Sequence, residues 1–335
     1  MKVPAAFLLG LVVAAGALHF WPEVQSAAPV AAPDAKPEAA PVAPSGATPA
    51  EAPAAAKAAQ PPRAPVVAVG SRITWNVPFV EHATEQQTLD IYTPEKASDA
   101  PVVVYVHRGE WAKGDKSEVS YKPKLLNERG IVLVSVNYRL SDVAKHPAQV
   151  NDVAAALRWV HDHIADYGGS PNRIVLMGHS AGCHIVSMVG LDPRPLAGVG
   201  MSPSDLRGVV CWSGGAYDLP AKIAEAGMYK PYVEKNFGTD QAGLEDASPI
   251  HHVQEAAAAV HYVFVSAGEG KLPSRLLSER MADEIRKAGG HADAVTLEGK
   301  THFTADYECG LPGDPIDSGA MLVKIVEDAT KQTSN

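Results

Sequence analysis

Beyond residue 70 the chain repeats one pattern, in which a short unbroken apolar run is followed by a longer stretch with apolar positions every three or four residues. The runs are "PVVVYVH" (101–107), "IVLVSVNY" (131–138), "RIVLMG" (173–178), "GVVCWSG" (208–214), "HYVFVSAG" (261–268) and "DAVTLEG" (293–299). Strands that are apolar at nearly every position are buried on both faces, which means a parallel sheet covered by helices on each side. Between them, "AQVNDVAAALRWVHDHIADY" (148–167) sets Val150, Val153, Ala154, Leu157, Val160, His161 and Ile164 on one helical stripe. Alternating β and α elements of this kind predict a mostly parallel, doubly wound α/β sheet. Two departures stand out. Residues 73–94 alternate apolar and polar positions, as antiparallel edge strands do, and residues 219–254 break the rhythm, as a small cap-like insertion over the sheet's C-terminal edge would.

Ahead of this domain the pattern changes twice. Met1-Lys2 supplies one positive charge and Val3–Leu18 carries no polar side chain, the grammar of an export signal. Residues 1–26 therefore read as a signal peptide, cleaved or retained as an N-terminal membrane anchor. The expected location is outside the cytoplasm: periplasmic, membrane-anchored facing the periplasm, or secreted. From Ala27 to Val66, 17 alanines and 10 prolines leave too little apolar surface to fold. Residues 27–69 are thus an expected disordered linker, which with an anchor would serve as a tether, and 70–335 the catalytic domain.

Apolar residues make up 46% of the chain and charged residues 20%, ample for one large core. A net charge of −9 without a Lys/Arg cluster disfavours nucleic acid as a partner. Cys183, Cys211 and Cys309 show no metal-ligand spacing. The first two lie in apolar runs where buried free thiols are expected, and Cys309 could join a disulfide whose partner the sequence does not choose.

Candidate chemistry centres on "RIVLMGHSAGCHIVSMVG" (173–190), where Gly178-His179-Ser180-Ala181-Gly182 falls between a strand and a helix. A nucleophilic serine needs such a sharp strand-to-helix turn, with small neighbours that let it close and a helix N-terminus beside its Oγ. On this fold the base and its orienting acid follow in the order Ser, acid, His. His302, on the loop after the last run, is the expected base. Glu269 in "VSAGEGKLP" is the expected acid, with Asp218 in "SGGAYDLP" as the alternative. No metal or organic cofactor is required for this chemistry.

At this point the chain resembles the α/β-hydrolase esterases related to feruloyl and acetylxylan esterases and kynurenine formamidases, within the hormone-sensitive-lipase-like set. The resemblance rests on "LDIYTP", "VYVHRGEWAKGDK", "VSVNYRLS", "YGGSPNRIVLMGHSAG", "ASPIHHV" and "GKTHF", in that order. It implies Ser180 as nucleophile, His302 as base and Glu269 as acid. It also implies an oxyanion hole formed by the backbone amides of Ala181, Gly109 and Glu110. In "HRGEW" an arginine stands where many relatives have glycine; if that position requires positive φ, an L-residue there costs about 1–2 kcal/mol. Arg108 is then an expected substrate-side residue, pairing with Glu110, Asp115 or an acidic substrate. His179 is a second substrate-side candidate, and Trp111 is expected to pack under the loop or line the pocket. The expected activity is hydrolysis of a small-molecule carboxylic ester through an acyl-enzyme. Amide or formamide hydrolysis on the same triad, and a catalytically degenerate binding protein, are the alternatives.

Overall fold

The computed structural model describes residues 64–225, 227, 229–256, 258–269 and 273–331, so the expected signal or anchor and nearly all of the linker lie outside the described residues. Residues at the linker's predicted end are part of the fold: Val66 donates its amide to Ser120 O at 2.9 Å and accepts from Lys124 N at 2.9 Å.

Eight strands form one sheet: β1 (Arg72–Pro78), β2 (Thr88–Thr93), β3 (Ala100–Val106), β4 (Val132–Val136), β5 (Gly169–His179), β6 (Gly208–Trp212), β7 (His261–Ala267) and β8 (His291–Leu297). Their order across the sheet is β1-β2-β4-β3-β5-β6-β7-β8. β1 and β2 pair antiparallel, as the alternating pattern of 73–94 predicts, and β2 joins β4 antiparallel. All later pairings are parallel. This is the α/β-hydrolase fold.

The run in β3 shows why the strands are apolar throughout. Val102, Val104 and Val106 enter one core with residues of the helices α2 (Ala148–His163), α3 (Ala181–Leu191) and α8 (Pro273–Lys287). Val103 and Tyr105 point the other way, into a second core with α1 (Lys122–Asn127), α9 (Thr304–Tyr307) and α10 (Ser318–Lys331). Strand side chains alternate between faces, so a sheet covered on both sides needs an apolar residue at every position. The α2 stripe packs as predicted, with Val150, Val153, Ala154, Leu157 and Val160 buried.

After α3 the chain runs through a short α4 (Pro193–Ala197) into β6. Between β6 and β7 it forms α5 (Leu219–Ala224), α6 (Lys230–Phe237) and α7 (Gln241–Asp246), followed by a 3-10 stretch, Pro249–Glu255. Leu219, Val233 and Leu244 from this segment are buried. Among the described residues no helix is long and apolar enough to cross a membrane.

The cysteines depart from expectation. Cys183 at the start of α3 and Cys211 in β6 form a disulfide with a Cα–Cα separation of 4.6 Å, where free thiols were predicted. The two positions converge because α3 packs directly on β6, a proximity that linear sequence does not display. Cys309 is free and fully buried, which pushes its thiol up to about 12.

Candidate active site

The strand-to-helix turn after β5 holds Ser180 at φ 56° and ψ −112°, a conformation costing about 1–3 kcal/mol that the surrounding structure must impose. The flanking glycines permit it. A Cβ at Gly178 would come 2.3 Å from Gly182 O, and one at Gly182 would come 2.2 Å from Val106 O. The turn therefore closes on itself and against the end of β3, where the "HRGEW" loop begins. Ser180 Oγ projects beside the N-terminus of α3 and is partly exposed.

His302 lies just ahead of α9. Its Nε2 is 2.9 Å from Ser180 Oγ, a hydrogen bond spanning 122 residues of sequence. The turn that carries it is tied by Thr301 N donating to Thr304 Oγ1 at 2.8 Å, and by Trp212 Nε1 donating to Ala305 O at 2.6 Å. Burial lowers the His302 imidazole below its ordinary range, against the opposing pull of the Asp306 carboxylate. A neutral imidazole in this pose can take the Ser180 proton.

Among the described residues the other ring nitrogen does not meet a carboxylate. His302 Nδ1 is 3.0 Å from Ser213 Oγ, at the residue immediately after β6. Glu269, the expected acid, is exposed, and its carboxylate makes no hydrogen bond or ion pair among the described residues. The reason is local. Gly268 and Glu269 donate their amides at 2.8 Å to Leu297 O and Lys300 O, which pins the backbone to the loop after β8 while the side chain faces solvent. Asp218, the alternative, caps α5 by accepting from Ala221 N at 3.1 Å and pairs with Arg280 at 3.6 Å.

The carboxylate that does lie beneath the site is Asp306, four residues past His302. It is buried against Lys122 Nζ at 2.7 Å and accepts from Tyr105 OH at 2.8 Å. Burial opposes its ionisation, but Lys122 and the neighbouring histidine outweigh this and hold the carboxyl well below the usual range. His179 links it to His302: its Nε2 donates to His302 O at 2.9 Å and its Nδ1 lies 3.7 Å from Asp306 Oδ2. His179 is fully buried and holds the His302 backbone instead of reaching substrate, correcting the sequence expectation.

In the "HRGEW" loop, positive φ falls on Gly109 (127°), Glu110 (49°) and Trp111 (59°), and not on Arg108. The strain anticipated for the arginine is therefore absent. Its guanidinium pairs with Glu118 at 3.0 Å, approaches Asp306 at 3.8 Å and lies 5.6 Å from the Phe303 ring centroid. Neither Glu110 nor Asp115 is its partner; Glu110 pairs with Lys113 at 3.1 Å. The amides of Gly109, Glu110 and Ala181 have no acceptor among the described residues. Trp111 is buried under the loop, donating Nε1 to His184 Nδ1 at 3.3 Å and meeting Phe237 of α6 edge-on at 4.9 Å. Tyr229 and Tyr232 of the same insertion are exposed.

Residues missed from sequence include Ser213, Asp306 and Lys122. Asp306 had a local signal, a carboxylate one helical turn after the histidine in "THFTADY". Ser213 stands at the end of an apolar strand, and a neutral serine there carries no sign that sets it apart from Asp218 five residues on. Lys122 carried none, because its partner is 184 residues away.

Comparison with known proteins agrees with the fold. A methylesterase of Oryza sativa subsp. japonica, described as a probable isoprenylcysteine alpha-carbonyl methylesterase, is 30% identical over 73% of this chain and 61% of its own length. Esterase LipQ of Mycobacterium tuberculosis is 33% identical over 47% of this chain and 39% of its own. The chain thus spans about half the length of the curated relatives it matches. Among solved structures, esterase B of Lactobacillus rhamnosis superposes with a TM-score of 0.67 at 21% identity, covering 80% of this chain and 90% of that one. Residues 89–266, more than half of the chain, match the BD-FAE family, and the chain belongs to that family.

Proposed function

We propose that the protein is a serine carboxylic-ester hydrolase, working through an acyl-enzyme on Ser180. The observation that carries this reading is the 2.9 Å contact between His302 Nε2 and Ser180 Oγ on a strained, glycine-flanked turn. In the proposed reaction His302 takes the Oγ proton as Oγ attacks the ester carbonyl, then returns it to the departing alcohol. Water repeats the sequence on the acyl-enzyme. The amides of Ala181, Gly109 and Glu110 are the proposed oxyanion donors, each free to bind a developing negative charge. The esterase names of the relatives support ester over amide substrates. The disulfide between Cys183 and Cys211 supports the proposed export to an oxidising compartment.

The test is hydrolysis of p-nitrophenyl butyrate by wild type and Ser180→Ala. Loss of at least about 10³-fold in kcat is expected for removal of the nucleophile, and an unchanged rate would overturn the reading.

A further inference from the structure

We propose that Ser213 is the positioning residue of the catalytic histidine, occupying the place at Nδ1 where the expected triad would put a carboxylate. This rests on the assignment of Ser180 and His302 as nucleophile and base. The Ser213 hydroxyl is 3.0 Å from His302 Nδ1 while Nε2 faces Ser180 Oγ, so the ring is held between two serine hydroxyls. Ser213 is 4% exposed and sits at φ 52°, with its amide donated to Val265 O at 2.6 Å. A serine in that rarely used conformation is held there by its surroundings.

Its place in the chain gives it leverage on both reacting groups. Trp212, the preceding residue, accepts the Ser180 amide on its carbonyl at 3.3 Å and donates its indole to Ala305 O at 2.6 Å. The Trp212-Ser213 pair thus touches the nucleophile turn, the base and the helix behind the base. Glu269 has no comparable contact. Its side chain is exposed, and the amides of Gly268 and Glu269 are committed to Leu297 and Lys300.

The chemistry follows from tautomers. For Nε2 to accept the Ser180 proton it must be bare, so Nδ1 carries the hydrogen and donates it to Ser213 Oγ. Ser213 takes no proton in the reaction: the Oγ proton of Ser180 moves to Nε2 as the Oγ–C bond forms, and moves on to the leaving oxygen when the ester C–O bond breaks. A hydroxyl orients the ring without adding negative charge. The carboxylate that acts most on the imidazole is Asp306, linked to His302 through His179.

The experiment compares Ser213→Ala, Ser213→Asp and Glu269→Gln with wild type on p-nitrophenyl butyrate over pH 5 to 9, with circular dichroism to check folding. Ser213→Ala should lose on the order of 10- to 100-fold in kcat with KM within about twofold, as expected for a mispositioned base. Ser213→Asp places a carboxylate at Nδ1 and should move the acid limb of the kcat/KM profile to higher pH. Glu269→Gln should stay within about twofold of wild type. Ser213→Ala at the wild-type rate, or a loss of more than about tenfold in Glu269→Gln, overturns the assignment; the second outcome is decisive even if Ser213→Ala does not fold, because residue 269 is exposed. A fully active Ser180→Ala would instead sink the esterase reading beneath it.

Discussion

Lys122 Nζ and Asp306 Oδ1 lie 2.7 Å apart with solvent reaching 0% of the lysine side chain and 3% of the aspartate's. The ammonium also donates to the Asp306 backbone carbonyl at 2.9 Å and sits 4.8 Å from the centroid of the Tyr105 ring. Two buried charges so arranged add little net stability over an apolar pair, but deleting one strands the other in a low-dielectric core. Lys122→Met should therefore cost about 3–5 kcal/mol in urea unfolding. Because Asp306 belongs to the helix that follows His302, the same variant should also lose kcat at temperatures where it remains folded.

Three histidines, His107, His179 and His184, are buried in neutral form, and His146 is partly buried. Burial holds His107 and His146 at about 4, and His179 and His184 at about 3. In the unfolded chain each would protonate near pH 6.5, so the unfolded state binds more protons below that pH and is favoured there. Stability is then intact above about pH 6.5 and declines as pH falls toward 4, by about 1.4 kcal/mol per pH unit for each histidine. The measurement is chemical denaturation at pH 7.5, 6.0 and 5.0. His184→Gln, which can keep the bonds to Trp111 Nε1 and Ala247 O, should reduce that slope by about one proton; an unchanged slope would count against the assignment for His184.

What was legible beforehand follows a physical division. The strands were readable because burial on both faces demands apolar residues at every position, as in Val102–Val106, and the α2 stripe because one helical face is buried. Ser180 was readable because the turn that exposes it excludes a Cβ at Gly178 and Gly182, leaving a pattern in the letters themselves. His302 followed from its place after the last strand. Glu269 misled because position on a loop does not determine where a side chain points; the amide contacts of 268 and 269 do that. Ser213, the Lys122–Asp306 pair and the disulfide depend on contacts between distant segments, and a neutral serine or a lone lysine gives no local sign of them.

Gly109 and Arg108 are neighbours in one loop, yet their replacement should have very different consequences. A Cβ at Gly109 would fall 1.9 Å from the Lys113 carbonyl oxygen, in a backbone at φ 127° that L-residues avoid. That same carbonyl region is fixed by Gly109 O accepting from Ala112 N and Lys113 N at 2.9 and 3.0 Å. Gly109→Ala must displace the loop, and with it the proposed oxyanion amides, so a kcat loss on the order of 10²-fold or more is expected. Arg108→Gly removes an ion pair to Glu118 that is a quarter exposed, at a position outside the positive-φ residues of the loop. Its cost should stay below about tenfold. Since the guanidinium is already occupied by Glu118, faces Asp306 and covers Phe303, the loss should be equal for neutral and anionic esters. Steady-state kinetics on p-nitrophenyl butyrate and on a monoester carrying a free carboxylate would check both statements, and a selective loss on the anionic ester would return Arg108 to the role of substrate ligand.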